Sequence, residues 1–435
     1  MSVPRWTKSY PSNAPQIRVK IRFKRGIKIN NQLDEMKDFI IIDPSLKSFN
    51  GHFLTYDTAI ATEAKKFGYK TVVLASNEAI DMETKFKVFP SFKLGLEHDF
   101  IKVPILKKIN FFQKINKYLI ERQFVSDLIS ANITTWCKKN PIIFFHTTTS
   151  TQIPPLIRWV KKNIKLNPII FIMLRYAPSP NPYYPFSGEF LLYSQALEYL
   201  ENSGISKYFR LIVDSELLKE EYELITNIPI YLVPIPHTLD QKRFEYDKTI
   251  DNKKLLTYLG NARATKGFQY LPYLLQNIQD RLNSGEWGAE FQANVMFARD
   301  QESIVSLSLM RKMPVILHEY ELSMIEYENL LKRSSLVLIP YQLLYYYSQT
   351  SGVLCEALGA GKPVVVPSGT WMARQIKEKN IGVTFYPGDR RSFFEETVKA
   401  MNNIEYFTEQ AIKFRSEWIS YHNSTNFIKT LLELL

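Results

Sequence analysis

Short apolar segments alternate with amphipathic segments of helical length along most of this chain, and this alternation limits the fold more than any other feature. In the first half, the apolar runs 38–43 and 71–75 flank segment 56–67, whose apolar residues have helical spacing. Gly68 follows that segment, as is common where a helix ends. A strand–helix–strand unit of this kind joins parallel strands. Its repetition predicts an α/β fold with parallel sheets covered by helices on both faces.

The predicted strands fall into two groups that a polar stretch separates. The first group also contains residues 142–145, 169–174, 209–213 and 230–233. The second group contains residues 255–259, 293–297, 315–317, 336–340, 363–366 and 383–385. The main predicted helices are residues 111–137, 189–202 and the tail from residue 392. We therefore expect a basic leader 1–35, a Rossmann-like domain 36–240, a linker 241–254 and a second Rossmann-like domain 255–405. A helical segment 406–435 would then pack back onto the first domain.

Composition indicates a multidomain protein of a reducing compartment. The chain has 435 residues, 45% of them hydrophobic, which is enough for more than one core. Cys137 and Cys355 lie in predicted helices and cannot form a disulfide framework. No apolar run reaches the length of a membrane span, and the N-terminus lacks the apolar core of a signal peptide. We expect a cytoplasmic protein.

Positive charge is concentrated near the N-terminus. The formal net charge is +12, and residues 1–33 contain eight basic residues and no acidic one. This leader is either a solvated segment or a contact for anionic lipid or another polyanion. Helix 111–137 has a similar basic face, which either faces water or lies peripherally on an anionic membrane. No nucleic-acid-binding motif accompanies the charge, so nucleic acid is not an expected partner.

The segment 335–370 carries the most specific chemistry. Ser351 is a favourable cap for a helix that follows a strand and a loop. The backbone N–H groups of Ser351, Gly352 and Val353 then lie at the positive end of the helix, where a diphosphate binds readily. Helical spacing places Glu356 on the same face as Gly352 and Gly359, so its carboxylate can accept hydrogen bonds from both hydroxyls of a ribose. The alternative is a surface helix whose glutamate faces water.

Three blocks of the second half resemble the retaining GT-B glycosyltransferases of the family 4 type. Residues 259–268 (LGNARATKGF) are similar to a loop with a basic pair before KG. Residues 351–365 (SGVLCEALGAGKPVV) are similar to the glutamate helix and the G-x-P-V-V that follows it. Residues 382–385 (GVTF) and 387–389 (PGD) are similar to the closing strand and turn. The resemblance implies two Rossmann-like domains facing each other across a cleft, and a C-terminal helix crossing back to the N-terminal domain.

The same resemblance implies roles for particular residues. Glu356 would bind the donor ribose, and the first N–H groups of its helix would hold the distal phosphate. Arg263 and Lys266 would neutralise the departing diphosphate, whose charge is greatest in the transition state. Two positions depart from the family pattern. Ser348 replaces an acidic residue eight positions before Glu356, and Asn261 stands where an arginine commonly follows the first glycine of the loop.

The first half supplies candidates for the opposite side of the cleft. Gly51 and His52 follow the first strand, and Gly51 would belong to an acceptor-side loop. His146 follows strand 142–145 and is similar to the family's cleft histidine, which contacts the donor sugar. We take His146 and His52 as catalytic candidates, with structural, hydrogen-bonded histidines as the alternative. The chain has no D-x-D motif, so we expect no metal ion, and no cofactor besides the nucleotide-sugar substrate.

The combined features predict a glycosyltransferase. It would move a sugar from a nucleotide diphosphate donor to a hydroxyl acceptor, either a glycan or a lipid-linked sugar, with retention of configuration and without a metal ion. Two alternatives remain open. One is a nucleotide-sugar epimerase on the same fold, and the other is a non-catalytic GT-B binding protein.

Overall fold

Parallel strands form two sheets in the computed structural model, which describes residues 37–47, 52–79, 86–93, 95, 110–179, 188–236 and 254–435. Within these residues the first sheet contains β1 Asp38–Asp43, β2 Lys70–Ser76, β3 Lys87–Phe92, β4 Ile142–Phe145, β5 Ile169–Met173, β6 Phe209–Val213 and β7 Ile230–Leu232. The second contains β8 Lys254–Tyr258, β9 Trp287–Gln292, β10 Ile316–His318, β11 Leu336–Leu338, β12 Val364–Pro367 and β13 Gly382–Phe385. Their pairings are parallel.

The two sheets share one topology. Their strand orders are β3-β2-β1-β4-β5-β6-β7 and β10-β9-β8-β11-β12-β13. In each sheet the chain first adds strands on one side of its first strand and then continues on the other side. The switch points therefore lie between β1 and β4 and between β8 and β11, and ligands of such sheets bind at the carboxyl ends there. The predicted α/β architecture with two Rossmann-like units is confirmed.

Helices connect the strands and cover both sheets. Those of the first half are α1 His52–Lys66, α2 Asn110–Ser130, α3 Ile133–Trp136, α4 Ile153–Lys162, α5 Gly188–Glu201 and α6 Glu216–Glu223. Between β8 and β13 they are α7 Leu271–Asn277, α8 Gln279–Asn283, α9 Gln301–Met310, α10 Met324–Arg333, α11 Leu343–Tyr346, α12 Gly352–Gly359 and α13 Trp371–Lys377. The last three are α14 Arg390–Asn402, α15 Ile404–Tyr421 and α16 Ser424–Glu433.

Strand β1 shows how the first sheet is buried on both faces. Ile40 and Ile42 belong to a core cluster that includes side chains of α2, α4 and α5. Phe39 and Ile41 belong to a second cluster, formed with α1 and α16. Alternate residues of a strand point to opposite faces, so a continuous apolar run serves both helix layers.

The C-terminal helix returns to the first half of the chain, as predicted. Phe427, Ile428 and Leu431 of α16 are buried with side chains of α1. Thr425 donates a hydrogen bond to Glu63 of α1, with 2.8 Å between the oxygens. Just before α16, Nδ1 of His422 accepts a hydrogen bond from the backbone N–H of Ile235 at 3.0 Å. The tail thus braces the first sheet.

One strand of the second sheet lies earlier than the sequence predicted. The prediction for residues 293–297 was wrong, because β9 spans Trp287–Gln292 and Val295–Phe297 forms a 3-10 turn. Glu290 obscures the strand pattern, yet it is buried in β9 and pairs with Arg333 at 2.9 Å and with His318 at 2.6 Å. Strand β3 was missed because it is a partly exposed edge strand.

Two predicted helix boundaries also differ. The predicted helix 111–137 ends at Ser130, and Asn132 adopts φ 43° before the short α3. Asparagine tolerates this left-handed conformation better than most residues, so the chain can turn there. Helix α1 begins at His52, earlier than residue 56. The leader 1–35 and linker residues 241–253 lie outside the described residues. No helix in the described ranges combines the length and apolar character needed to cross a membrane.

Candidate functional site

The donor-site residues inferred from the sequence follow β8 and β11, which are neighbours at the second switch point. Residues 260–268 follow β8, and residues 339–351 lead from β11 to α12. Gly267 holds these two segments together. It has φ 70°, and a Cβ atom there would lie 1.7 Å from the carbonyl oxygen of Pro340. Glycine therefore permits a close backbone approach that brings both segments to one side of the crevice.

The helix that carries Glu356 begins where the sequence predicted. Ser351 caps α12 with an extended backbone, and its hydroxyl accepts a hydrogen bond from the N–H of Leu354 at 3.3 Å. The first intrahelical bond runs from the N–H of Cys355 to the carbonyl of Ser351 at 3.0 Å. The N–H groups of Gly352 and Val353 precede it and so have no partner within the helix. Gly352 is half-buried, while the Val353 side chain packs into the core.

Glu356 is half-buried beside a tyrosine and a lysine. The Tyr327 hydroxyl on α10 donates a hydrogen bond to its carboxylate. The charge of Glu356 acts to raise the pKa of Lys266, so these two groups are also close. The structure thus brings together Glu356, predicted to bind the ribose, and Lys266, predicted to bind the diphosphate. Tyr327 was missed, because a tyrosine on a separate helix leaves no local signal in the sequence.

Arg263 and Lys266, the two basic residues predicted to bind the diphosphate, lie on one loop and repel each other. Burial and the charge of Arg263 lower the pKa of Lys266 to about 8, although Glu356 acts in the other direction. The Lys266 amino group is 5.3 Å from the ring centroid of Tyr341, and the Arg263 guanidinium carbon is 4.9 Å from that of Phe297. Aromatic faces attract cations and help to hold them in place. An anion at this loop would relieve the repulsion between the two side chains.

The two departures from the family pattern have structural roles. The carbonyl of Asn261 accepts a hydrogen bond from the Tyr258 hydroxyl at 2.6 Å, and its side chain accepts one from Gln292 at 3.3 Å. Ser348 is fully buried and lies near Glu221 of α6. Burial raises the pKa of Glu221 to about 7, and the Ser348 hydroxyl acts to lower it. The first half of the chain thus covers the position where the family carries an acidic residue.

His146 lies at the carboxyl end of β4, next to the first switch point, but only 1% of its surface is exposed. Its Nδ1 atom is 2.9 Å from an Asp43 oxygen and 3.0 Å from an Asp57 oxygen. Burial lowers the pKa of His146, but the charges of Asp57 and Asp43 outweigh this effect and raise it. Burial also raises the pKa of Asp57 to about 7, against the effect of His146. In this state the imidazole contacts carboxylates, and its contact with substrate stays a prediction.

These three side chains are also the one group in the described ranges that could coordinate a metal ion. The ligand atoms of Asp43, Asp57 and His146 lie within 4.8 Å of one another. The short contacts of Nδ1 to both carboxylates are those of a histidine shared by two acids. Metal independence stays a prediction.

Sequence reasoning missed a polar chain that joins the two halves of the molecule. Arg175 follows β5, and its guanidinium carbon lies 4.1 Å from the ring centroid of Tyr56, on which His146 stacks at 4.3 Å. Asp214 follows β6 and is 4.0 Å from Arg175. The Thr350 hydroxyl donates to the same Asp214 oxygen at 3.1 Å. Charged residues just beyond two parallel strands were the available signal.

The remaining predicted site residues are Gly51 and His52. Gly51 is outside the described residues. His52 is the first residue of α1, and its side chain is likewise not described. Their assignment to the acceptor side stays a prediction.

Solved structures match this chain along nearly its whole length. Sucrose-phosphate synthase from Thermosynechococcus elongatus matches with a TM-score of 0.64 at 13% identity, over 92% of this chain and 98% of its own. HepE from Anabaena, solved in complex with UDP, matches with a TM-score of 0.57 at 12% identity, over 92% and 99%. WaaG, a glycosyltransferase involved in lipopolysaccharide biosynthesis, matches with a TM-score of 0.58 at 13% identity, over 92% and 99%.

The likeness is one of fold. No protein-family model and no curated protein matches the chain. These three structures are GT-B glycosyltransferases, and the chain has two parallel sheets of seven and six strands. The chain therefore has a GT-B fold.

Proposed function

We propose that this protein is a glycosyltransferase that moves a sugar from a nucleoside-diphosphate donor to a hydroxyl group of an acceptor. One observation carries the proposal. The start of α12, the Lys266 amino group and the Glu356 carboxylate converge at the switch point of the second sheet. An N–H-rich helix end suits a diphosphate, and a neighbouring carboxylate suits the hydroxyls of a ribose.

The donor diphosphate lies at the start of α12 in this proposal. N–H groups of Ser351, Gly352 and Val353 donate to its distal phosphate, and Glu356 accepts hydrogen bonds from the ribose. Tyr327 holds the Glu356 carboxylate in place through its hydroxyl. A nucleoside fixed in this way places the bond to the sugar in the cleft between the two sheets.

Cleavage of that bond explains the basic loop. When the sugar carbon separates from the phosphate oxygen, negative charge accumulates on the diphosphate. Arg263 and Lys266 stabilise this charge more strongly in the transition state than in the bound donor, which lowers the barrier. Before the reaction, the ring of Phe297 helps to hold Arg263 in place, and the ring of Tyr341 helps to hold Lys266.

Known ligands of similar structures support the choice of donor. HepE from Anabaena has been solved with UDP and with UDP-glucose. We therefore take a nucleotide sugar as the donor here and UDP as the first probe of the site.

The acceptor side of the proposal rests on the family resemblance. The acceptor is a hydroxyl of a glycan or of a lipid-linked sugar, and we assign its entry to the side of Gly51 and of His52, the first residue of α1. The departing phosphate takes up the acceptor proton on the same face of the sugar. The sugar therefore keeps its anomeric configuration, and no metal ion is needed.

We place the reaction in the cytoplasm, with the basic leader as a peripheral contact to anionic membranes. His146 stays the candidate for contact with the donor sugar, and its ring stacks on that of Tyr56 at 4.3 Å.

A thermal-shift screen against nucleotide sugars tests the donor site. We expect at least one of them to raise the melting temperature, because a ligand of the folded state stabilises it. The substitution Glu356→Ala should abolish most of this shift, since the ribose loses a charge-assisted partner worth about 1.5–3 kcal/mol.

Glu409→Ala is a matched control, because Glu409 is exposed on α15 and pairs only with Lys413 among the described residues. It should leave the shift unchanged. An equal response from the Glu356 variant would refute the ribose assignment. Conversion of the active nucleotide sugar without an added acceptor would point to an epimerase instead.

A further inference from the structure

Arg175 stands at the carboxyl edge of the first sheet, opposite the donor site. It follows β5 by two residues, and about a quarter of its side chain is exposed. Its guanidinium lies over Tyr56, which is itself stacked on His146. The ring stack and the buried acids behind it fix the position of this cation.

The Nε–Nη2 edge of the guanidinium has no acceptor at hydrogen-bond geometry in the described part of the chain, although the Tyr56 hydroxyl is near enough to affect the pKa of Arg175. Among the described residues, neither Nε nor Nη2 of Arg175 has a hydrogen-bond partner, although both atoms are buried. The carboxylate of Asp214, the nearest one in the described ranges, lies 4.0 Å from Nη2, which is beyond hydrogen-bond length. A buried donor pair without an acceptor is costly unless a ligand supplies one. These two N–H groups are parallel and match two oxygens of a phosphate.

The position of Asp214 shows which ligand is within reach. Its Oδ2 atom accepts a hydrogen bond from Thr350 at 3.1 Å, and Thr350 directly precedes the cap of α12. Asp214 and Arg175 both influence the pKa of Cys355, which lies within α12. The guanidinium therefore lies beside the helix end to which the proposed function assigns the distal phosphate.

We propose that Arg175 is a donor-binding residue of the N-terminal half, which grips the distal phosphate of the nucleoside diphosphate through Nε and Nη2. The inference rests on the proposed function and extends it. The second half supplies the helix end, Arg263 and Lys266, and the first half closes the same phosphate site from the other side. Asp214 is the neighbouring counter-ion of Arg175, and the Tyr56 ring holds the guanidinium from one side.

Calorimetric binding of nucleotides tests this assignment. UDP, GDP, ADP and CDP are screened first, and the tightest diphosphate is then compared with its monophosphate. Arg175→Gln should weaken the diphosphate about tenfold or more, because it removes a charge-assisted pair of hydrogen bonds. It should weaken the monophosphate much less. Arg175→Lys keeps the charge but not the planar fork, so its affinity should fall between those of wild type and Arg175→Gln.

The ratio of the two affinities separates a phosphate contact from general damage. A misfolded variant would lose both nucleotides in the same proportion, and Arg175→Lys allows the same comparison if Arg175→Gln does not fold. Arg374→Gln is the control, because Arg374 also joins the two halves, by pairing with Glu220 at 2.9 Å, but lies on the exposed side of α13. It should bind like wild type.

Two outcomes overturn the inference, and they differ in what else they remove. If wild type binds a diphosphate and Arg175→Gln binds it equally well, the assignment of Arg175 is wrong and the donor site stands. If wild type binds none of the four diphosphates, the proposed function fails, and the role of Arg175 fails with it.

Discussion

Lys266 is the residue whose charge should respond most to the donor. Its pKa is lowered to about 8 by burial and by Arg263, and a bound diphosphate would supply the opposite charge and raise the pKa again. At roughly pH 8.5 much of the lysine in the free protein is neutral, so binding should take up a proton. Affinity for UDP should therefore fall as the pH rises through about 8.

Titration calorimetry in two buffers with different ionisation enthalpies measures that proton directly. The uptake should disappear in Lys266→Gln, which cannot titrate. Lys379→Gln provides the comparison, because Lys379 is exposed and pairs with Glu417 at 2.8 Å. Binding without proton uptake by the wild-type protein would show that Lys266 does not meet the diphosphate.

At the same scale, local sequence patterns identified several site residues but not their partners. Ser351 and Glu356 follow from helix-capping preference and helical spacing, which depend only on nearby residues. For Arg175 the local signal is only its place just beyond β5. Its significance depends on Asp214 and Thr350, and Thr350 lies in the other half of the chain. Contacts of this kind arise only when the two sheets are in place.

Gly267, in the loop after β8, has the closest contact to an added Cβ among the described glycines. In Gly267→Ala, the new Cβ would meet the carbonyl oxygen of Pro340 at 1.7 Å, and φ 70° would add strain. We expect this substitution to destabilise the protein by more than about 2 kcal/mol and to weaken UDP binding, because the loop would move away from β11. Urea unfolding and calorimetry measure the two effects.

Gly285→Ala separates backbone strain from the steric clash. Gly285 has φ 76°, close to that of Gly267, but nothing lies within 4 Å of the added Cβ. Its cost should be about 1 kcal/mol, with no effect on UDP binding. Equal losses of stability in the two variants would mean that the close contact with Pro340 does not hold the loop.

Strands could be predicted from the sequence where their buried residues are apolar. The prediction failed where a buried polar residue is paired with residues of other elements. The strands of residues 38–43 and 142–145 contain uninterrupted apolar runs (FIII and IIFF), and the structure contains both strands. Strand β9 was missed because Glu290 interrupts its apolar pattern. That carboxylate is tolerated in the sheet through its partners Arg333 and His318. A single sequence does not reveal such compensation, since the partners lie on other elements.

For the whole molecule, helix α6 links the two sheets. It follows β6, and Leu217 packs within the core of the second half. Glu216 accepts a hydrogen bond from the Trp371 indole at 2.8 Å, and Glu220 pairs with Arg374 at 2.9 Å. The same strand end carries Asp214, so α6 and the phosphate site share one connection between the halves. The sequence predicted both sheets and the returning tail, but not this connection, because its residues resemble those of any amphipathic surface helix.

The returning tail adds a pH-dependent link between the halves. Burial lowers the pKa of His422 from its ordinary value of 6.5 to about 3, and neutral Nδ1 accepts the hydrogen bond of Ile235. Because the folded-state pKa lies below the unfolded one, this contribution to stability is present above about pH 6.5 and is lost as the pH falls toward 3. The free energy of unfolding then changes by at most about 1.4 kcal/mol per pH unit for one proton.

The substitution His422→Gln tests this link, because glutamine keeps a hydrogen-bond acceptor that does not titrate in this range. In this variant the urea midpoint should fall less steeply between pH 6.5 and 4. Buried Asp57, whose pKa is raised to about 7, stabilises the folded state as the pH falls, but it does so equally in the wild-type protein and in the variant. The difference between their two pH curves therefore reports on His422. Parallel curves would mean that the unprotonated imidazole does not hold the tail against the first sheet.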